Sequence, residues 1–388
     1  MSTPDTTLLD AGKDLFYDLH RNPEPSWQEE RTAGRVREFL ASRGIAVLDS
    51  AVRPGLLVDI EGEKPGRRVL LRGDMDALPI REETDLPYRS MRDGWMHACG
   101  HDAHTTIAAL VAARLHEQRS ELAGTVRIAF QPAEEVDRSG ARAMIEAGDA
   151  DGCEAFLALH CDPLIPLGKI GYRRGHLNAA VDTVRITVRG KGGHGSRPHL
   201  CVDPVRIGSL LVTELHHLVG REVSAHDPTV LTITTFHAGD AANIIAETAL
   251  LQGTLRSYDD TARKAMKEGI RRVCKGLGQA HRAGIDVEMG DGHPSVRNDD
   301  GLVSLLEESI TETLGKDAHH VMPVPTLGGD DFAYFGRKGP QLLYRLGVRV
   351  DAKAPPEDLH SPRFVVPPEA LEIGARVMEE LARRVARG

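Results

Sequence analysis

The chain is short of cysteine, of long apolar runs and of basic charge. Its five cysteines, an odd number at irregular spacings in 388 residues, exclude a disulfide framework. Such sparing use fits a reducing cytoplasm and leaves each thiol as a buried apolar group or a ligand. No apolar stretch approaches the ~20 residues that cross a bilayer, so no membrane partner is expected. The segment Met1 to Asp10 is polar, with no basic stretch leading into an apolar one, so no secretory signal is expected. A formal net charge of -9 offers no basic stripe to neutralise phosphates. That argues against nucleic acid and for a small molecule as partner. Internal repeats and low-complexity tracts are missing as well.

What is present is an ordinary globular composition in a chain longer than the ~250 to 300 residues at which single cores stop growing. Two domains are expected. The first part alternates helix and strand, with an amphipathic segment from Ala33 to Ser42 and strand-like runs at Gly55 to Ile60 and Val69 to Arg72. Each buried strand leads into polar residues. Val69 to Arg72 runs into Gly73-Asp74-Met75-Asp76, Thr125 to Phe130 into Gln131-Pro132-Ala133-Glu134-Glu135, and Ala155 to Leu159 into His160. Open α/β sheets build their sites at such strand ends. Between the first two of these strands, Cys99-Gly100-His101-Asp102 enters a helix candidate from Ala103 to Leu115.

The middle segment changes rhythm. Strands at Val181 to Arg189, Thr229 to Phe236, Thr248 to Arg256 and Ile285 to Met289 are separated by helices at Asp203 to Val219 and Asp259 to Gly276. The order βαββαβ is the ferredoxin-like split motif. The chain then returns to helix, strand and helix with Asp300 to Leu314, Gln341 to Leu346 and Pro368 to Arg387. The expected organisation is therefore a catalytic domain from residues 1–178 and 295–388, interrupted by an inserted α+β domain at 179–294.

The candidate chemistry is metal binding. Histidine with thiolate suits transition ions better than magnesium or calcium. Cys99 and His101, two apart in a turn, could face one ion or a pair, although a buried Cys beside a stray His reads equally well on its own. Glu134 and Glu135 project in different directions beyond a strand, so one can ligate while the other handles protons; alone they read as a solvated loop. His160 closes an apolar run and emerges at the same sheet edge. Each signal has a plain structural explanation, but four coinciding do not.

Met96-His97-Ala98-Cys99-Gly100-His101-Asp102-Ala103-His104, Gln131-Pro132-Ala133-Glu134-Glu135 and Gly192-Gly193-His194-Gly195-Ser196-Arg197-Pro198-His199 resemble the signatures of the metallopeptidase family of aminoacylases, hippurate hydrolases and auxin-conjugate amidohydrolases. Arg72-Gly73-Asp74-Met75-Asp76-Ala77-Leu78-Pro79 and Leu359-His360-Ser361-Pro362 add to the resemblance, which covers nearly the whole chain. It implies a zinc-peptidase-like α/β catalytic domain with a mixed, largely parallel sheet, plus a ferredoxin-like insertion serving as dimerisation domain or lid. By the same resemblance, Cys99, His101, Glu135, His160 and His360 would bind two divalent ions, manganese, zinc, cobalt or nickel, and Glu134 would be the general base. His194 would reach the partner's site in a homodimer and help hold the oxyanion, while Asn243 and Arg256 would hold a substrate carboxylate. Asp74, Asp76 and Asp102 would orient ligands, as metal-bound histidines require.

Two departures stand out. Asp330, in Leu327-Gly328-Gly329-Asp330-Asp331-Phe332, occupies a place where the family more often has Glu, and Asn243-Ile244-Ile245-Ala246 lacks a proline common after that Asn. Neither touches a candidate ligand. The expected activity is hydrolysis of the amide bond of an N-acyl amino acid. A dipeptidase or carboxypeptidase is the alternative within the family, and a non-catalytic, metal-binding dimeric scaffold is the alternative of another class. Glu134 speaks against the scaffold, since a pure binding site has no use for a second carboxylate beside Glu135.

Overall fold

The computed structural model describes residues 6–290, 292–351, 353 and 355–388. Of the polar opening segment, residues 1–5 lie outside the described residues; from Thr6 the chain is helical, with buried Leu8, Leu15, Phe16 and Leu19 on one face. In chain order the elements are α1 (Thr6–Arg21), α2 (Glu30–Ala41), β1 (Leu48–Asp49), β2 (Leu56–Glu61), β3 (Lys64–Asp74), α3 (His101–Glu117), β4 (Ala123–Gln131), α4 (Gly140–Glu146), β5 (Ala155–Pro166) and β6 (Ile170–Tyr172). There follow β7 (Ala180–Arg189), α5 (Pro204–Glu222), β8 (Thr229–His237), β9 (Thr248–Ser257), α6 (Asp260–His281) and β10 (Gly284–Met289). The chain closes with α7 (Asp300–Leu314), β11 (His319–Val321), β12 (Gln341–Arg349) and α8 (Glu369–Arg387).

Contacts divide this chain into two compact units. The first comprises residues up to Leu177, Val296–Pro325 and Asp331–Gly388; the second comprises Asn178–Ser295 and Thr326–Asp330. The first unit holds an eight-stranded mixed sheet in the order β1-β2-β4-β3-β5-β12-β6-β11, with β4, β3, β5 and β12 parallel to their neighbours at its centre. Central parallel strands are apolar on both faces because both are covered. Val69, Leu71, Leu157 and Leu159 join the core that also holds Ala109, Leu346 and Met378, whereas Leu70, Phe156 and Ala158 join Phe332 and Phe335 in another. The strand period of two thus sorts consecutive residues between two cores. In α8, Leu371, Ala375, Met378, Leu381, Ala382 and Val385 form the buried stripe that covers the sheet.

These strands end unevenly. Asp74, the last residue of β3, is level with Gln131 at the end of β4, while pairing between β3 and β5 stops at Arg72 and Ala158. β5 continues beside β12, where His160 pairs with Arg345. His160 is therefore inside a strand, two residues beyond Ala158, the last β5 residue paired to β3, and not past the strand's end as the run closing at Leu159 suggests.

The second unit is an antiparallel sheet in the order β8-β9-β7-β10, the ferredoxin-like arrangement expected from the βαββαβ pattern. Buried Val184, Ile186 and Val188 alternate along β7 with the exposed Arg185 and Arg189, and α5 and α6 complete the core. Asp203 and Asp259 cap these helices by accepting backbone N–H groups from Val205 and Ala262. Buried Asp182 is held by Arg263 Nε and Nη2, at 2.6 and 2.7 Å, and by Lys267 at 2.7 Å. The segment Thr326–Asp330 joins this unit through its backbone. The Gly328 carbonyl accepts the N–H of Ala179 at 3.1 Å, and the Leu327 carbonyl accepts the Arg256 guanidinium at 2.6 Å.

One buried ion pair ties α1 to α3. His20 Nδ1 lies 2.6 Å from Asp102 Oδ2, and its Nε2 lies 3.3 Å from Glu82 Oε1. Burial opposes charge on the ring, but the Asp102 and Glu82 carboxylates outweigh it and raise the pKa to about 9, from 6.5. A raised histidine pKa stabilises the fold fully below pH 6.5, and the contribution disappears as pH rises through about 9. Its size is at most about 3 kcal/mol. Urea denaturation is therefore expected to show wild-type stability falling over this window more steeply than in His20→Gln; parallel curves would refute the assignment.

Candidate metal centre

Gly100 opens the site. It caps α3 at φ 86°, and a Cβ there would lie 3.2 Å from Cys161 Sγ, so both backbone and space call for glycine. The turn sets Cys99 and His101 on either side of the helix start. His101 Nδ1 donates to the carbonyl of Asp76 at 2.9 Å and lies 3.1 Å from its carboxylate. His160 Nδ1 donates to the Cys161 carbonyl at 2.7 Å. Both rings thus present Nε2 to the same space, where His160 Nε2 is 3.3 Å from Cys99 Sγ.

Two carboxylates enter from the end of β4. Glu135 Oε1 is 3.8 Å from His101 Nε2 and 3.3 Å from His360 Nε2. His360 comes from a remote loop, has φ 64°, and is pinned by its N–H to the Ala98 carbonyl at 2.8 Å. Ligand atoms lie within 4.8 Å of one another in each of the groups Cys99–His101–His160, Cys99–Glu135–His360 and His101–Glu134–Glu135. The structure thus brings together all five candidate ligands and Glu134, in the first unit.

The donor set fits a transition metal. His101 Nε2 is buried with no hydrogen-bond partner, a costly arrangement unless a cation satisfies it, and the buried Glu135 Oε1 has only its ion-pair contacts with His360 and His101. Burial, reinforced by the Glu135 charge, pushes the Cys99 thiol well above its ordinary range. A bound cation would reverse that preference and favour thiolate. Overlap of the three groups at Cys99, His101 and Glu135 suits a pair of ions sharing donors.

Surrounding groups fix these donors. Asp76 Oδ2 accepts the N–H of Glu135 at 3.0 Å and the Ser26 hydroxyl at 2.7 Å, while its other oxygen faces His101. Burial raises the Asp76 pKa, and these hydrogen bonds more than offset it. Asp76 orients two candidate ligands, as expected. Asp74 binds Arg72 and, at 2.7 Å, His104 Nδ1, and its Oδ2 lies 3.7 Å from His101 Nε2; His104 Nε2 accepts the Cys161 N–H at 2.8 Å. Asp102 orients no ligand side chain. Its carboxylate bonds His20 and the Ala103 N–H, because its place on α3 aims it about 100° of helix rotation from His101.

Glu134 Oε1 accepts the Asp331 N–H at 3.4 Å. The Asp331 carboxylate is itself buried among Arg72, Gln131, Ser139 and the Ala141 N–H, all at 2.7 to 3.2 Å. The sequence reading missed this anchoring role, although Asp331 lies in a stretch quoted for its departures. It also missed Ser26, Trp27 and Glu29, for which no local motif speaks.

His194, Asn243 and Arg256 all belong to the second unit. His194 is exposed, pairs with Ile244 in a short ribbon, and its Nδ1 lies 3.0 Å from Ser196 Oγ. The Asn243 carbonyl accepts the Gly195 N–H at 2.9 Å, which brings these two loops together. Arg256 is apart from them, half-buried on β9 against Leu327.

An N-acetylcysteine deacetylase of Bacillus subtilis (strain 168) is 37% identical over 366 residues, 94% of this chain and 94% of that protein. An N-acyl-L-amino acid amidohydrolase of Geobacillus stearothermophilus is 39% identical over 284 residues, 73% of this chain and 77% of its relative. Among solved structures, the Bacillus subtilis YXEP protein, described as a dinuclear metal binding peptidase from the M20 family, superposes with a TM-score of 0.85 at 33% identity. That alignment covers 98% of this chain and 99% of the other. The family model matches residues 70–384, a span that carries every donor of the cluster from Cys99 to His360, and the chain belongs to peptidase family M20/M25/M40.

Proposed function

We propose that this chain hydrolyses the amide bond of N-acyl amino acids, with an acetyl or benzoyl-sized acyl group, to a carboxylic acid and an amino acid. The observation that carries the reading is a second carboxylate, Glu134, lying within 4.8 Å of the His101 and Glu135 donor atoms, beside five donors that suit two divalent ions. Cys99, His101, Glu135, His160 and His360 would hold those ions, of manganese, zinc, cobalt or nickel. Bound there, they supply Lewis acidity toward water and the acyl carbonyl. Glu134 takes the proton of the attacking water and returns it to the leaving nitrogen as the C–N bond breaks. The Asp331 N–H fixes one of its oxygens for that transfer.

Names of the two relatives support the acyl amino acid as substrate class. A homodimer is part of the proposal. The α5 helix exposes Val205 and Leu210, and β8 lies at the edge of its sheet, both suited to a second copy. His194 of the partner subunit is then the candidate for stabilising charge on the carbonyl oxygen, and Asn243 and Arg256 are candidates for the substrate carboxylate. No helix among the described residues is long and apolar enough to cross a membrane. All five cysteines are free, in keeping with a cytoplasmic location.

Metal-stripped protein is expected to be inactive on N-acetyl, N-benzoyl and dipeptide substrates, and to release amino acid when one of the four metals is restored. Silence across the panel with two ions bound would favour a non-catalytic scaffold. Glu134→Ala should keep both ions and lose roughly two or more orders of magnitude in kcat. Cys99→Ala and His101→Ala should instead lose metal, read by elemental analysis; full occupancy in both would remove them from the ligand set.

A further inference from the structure

Glu29 is fully buried, yet its side chain does nothing for the helix it precedes. As the residue before α2 it makes no capping hydrogen bond; Glu24 does so, accepting the N–H groups of Arg31 and Thr32 at 3.2 and 2.7 Å. Glu29 Oε1 instead accepts the N–H of Ala133, 104 residues away, at 2.7 Å. Ala133 is buried and has φ 54°, a left-handed conformation that costs a non-glycine residue about 1 kcal/mol or more. Its carbonyl accepts the Gly140 N–H at 2.9 Å, so the residue is held on both sides. From this crook the chain projects Glu134 and Glu135.

Neighbours of Glu29 grip the same loop. The Trp27 indole donates to the Arg138 carbonyl at 2.9 Å, and Ser26 bonds Asp76, which takes the Glu135 N–H. We propose that Glu29 is a positioning residue for amide hydrolysis: its carboxyl locks the Ala133 turn and so sets the aim of Glu134. The inference rests on the reading of Glu134 as proton carrier. Burial, with the Asp76 charge adding to it, pushes the Glu29 carboxyl up to about 8, which favours the uncharged form and makes glutamine its nearest mimic. Glutamine keeps an acceptor at the same reach, whereas aspartate is one methylene too short.

The test is steady-state kinetics on an N-acetyl or N-benzoyl amino acid, with metal content and circular dichroism, for Glu29→Gln, Glu29→Asp, Glu29→Ala and Glu134→Gln. Glu29→Asp and Glu29→Ala are expected to lose about 10- to 100-fold in kcat, the scale of a displacement near 1 Å, with KM within about twofold and both ions bound. Glu29→Gln should stay within about threefold of wild type. A folded, metal-loaded Glu29→Asp with undiminished kcat overturns the proposal, and so does a Glu29→Gln as impaired as the alanine variant. Loss of metal in step with kcat would also overturn it, by reducing Glu29 to a general structural role. Should Glu29→Ala fail to fold, the aspartate and glutamine pair decides. An active Glu134→Gln sinks the reading of Glu134 itself; an inactive one beside a fully active Glu29→Asp sinks only the positioning role.

Discussion

Crowding a thiol, imidazoles and carboxylates where water is scarce carries a desolvation cost of several kcal/mol per charge, and the first unit is arranged around that cost. Its polar groups are placed so that His101 and His160 have their outward nitrogen satisfied by a carbonyl and their inward nitrogen turned to the centre, while Glu135 and His360 are held by their backbones. What is left over is a set of inward lone pairs. A divalent cation satisfies such a set, and among the described residues His101 Nε2 has no hydrogen-bond partner.

The sheet supplies the geometry. Because β3 and β4 end level while β5 runs on, a notch forms at the centre of the carboxyl edge, with His160 on its long side and the turns after Asp74 and Gln131 opposite. Loop ends alone would leave these side chains mobile; the register of parallel strands fixes their spacing. Arg72, Gln131 and Asp331 then bind three chain segments beneath the notch, which ties Glu134 to the core by way of the Asp331 N–H.

Much of this was legible in the sequence, and the limits have physical reasons. Alternation in Val181 to Arg189 and the apolar runs at Val69 and Ala155 expose the strands because burial on one or two faces leaves a period that the sequence must carry. Glu134, Glu135 and His160 were legible because each lies just past such a run, whereas Cys99 and His101 stand at the start of a helix and His360 was reached only through the family resemblance. His160 was read as lying beyond its strand because a histidine after four apolar residues looks like an end; β12 extends the ladder on the other side. Asp102 was read from the family resemblance as orienting a ligand, but neighbours on a helix point apart, and its carboxylate bonds His20 instead. The contacts of Glu29 and Asp331 span 104 and 197 residues, and nothing local announces them.

The same point bears on backbone conformation. Among the described residues, Trp27, Ala133, Arg282 and His360 have positive φ without being glycine. Arg282 ends a surface helix, where that conformation is ordinary. The other three lie at the candidate centre or the turn that holds it, where Ala133 is held on both sides by Glu29 and Gly140, His360 by its N–H to Ala98, and the Trp27 indole bonds Arg138. Strain of ~1 to 3 kcal/mol per residue persists only where surrounding contacts hold it in place. Glycine would remove the strain at Ala133 but would also free the turn, and Glu134 with it. A side chain at a left-handed position, clamped from both sides, fixes the direction of the next two carboxylates more firmly than an unstrained turn could.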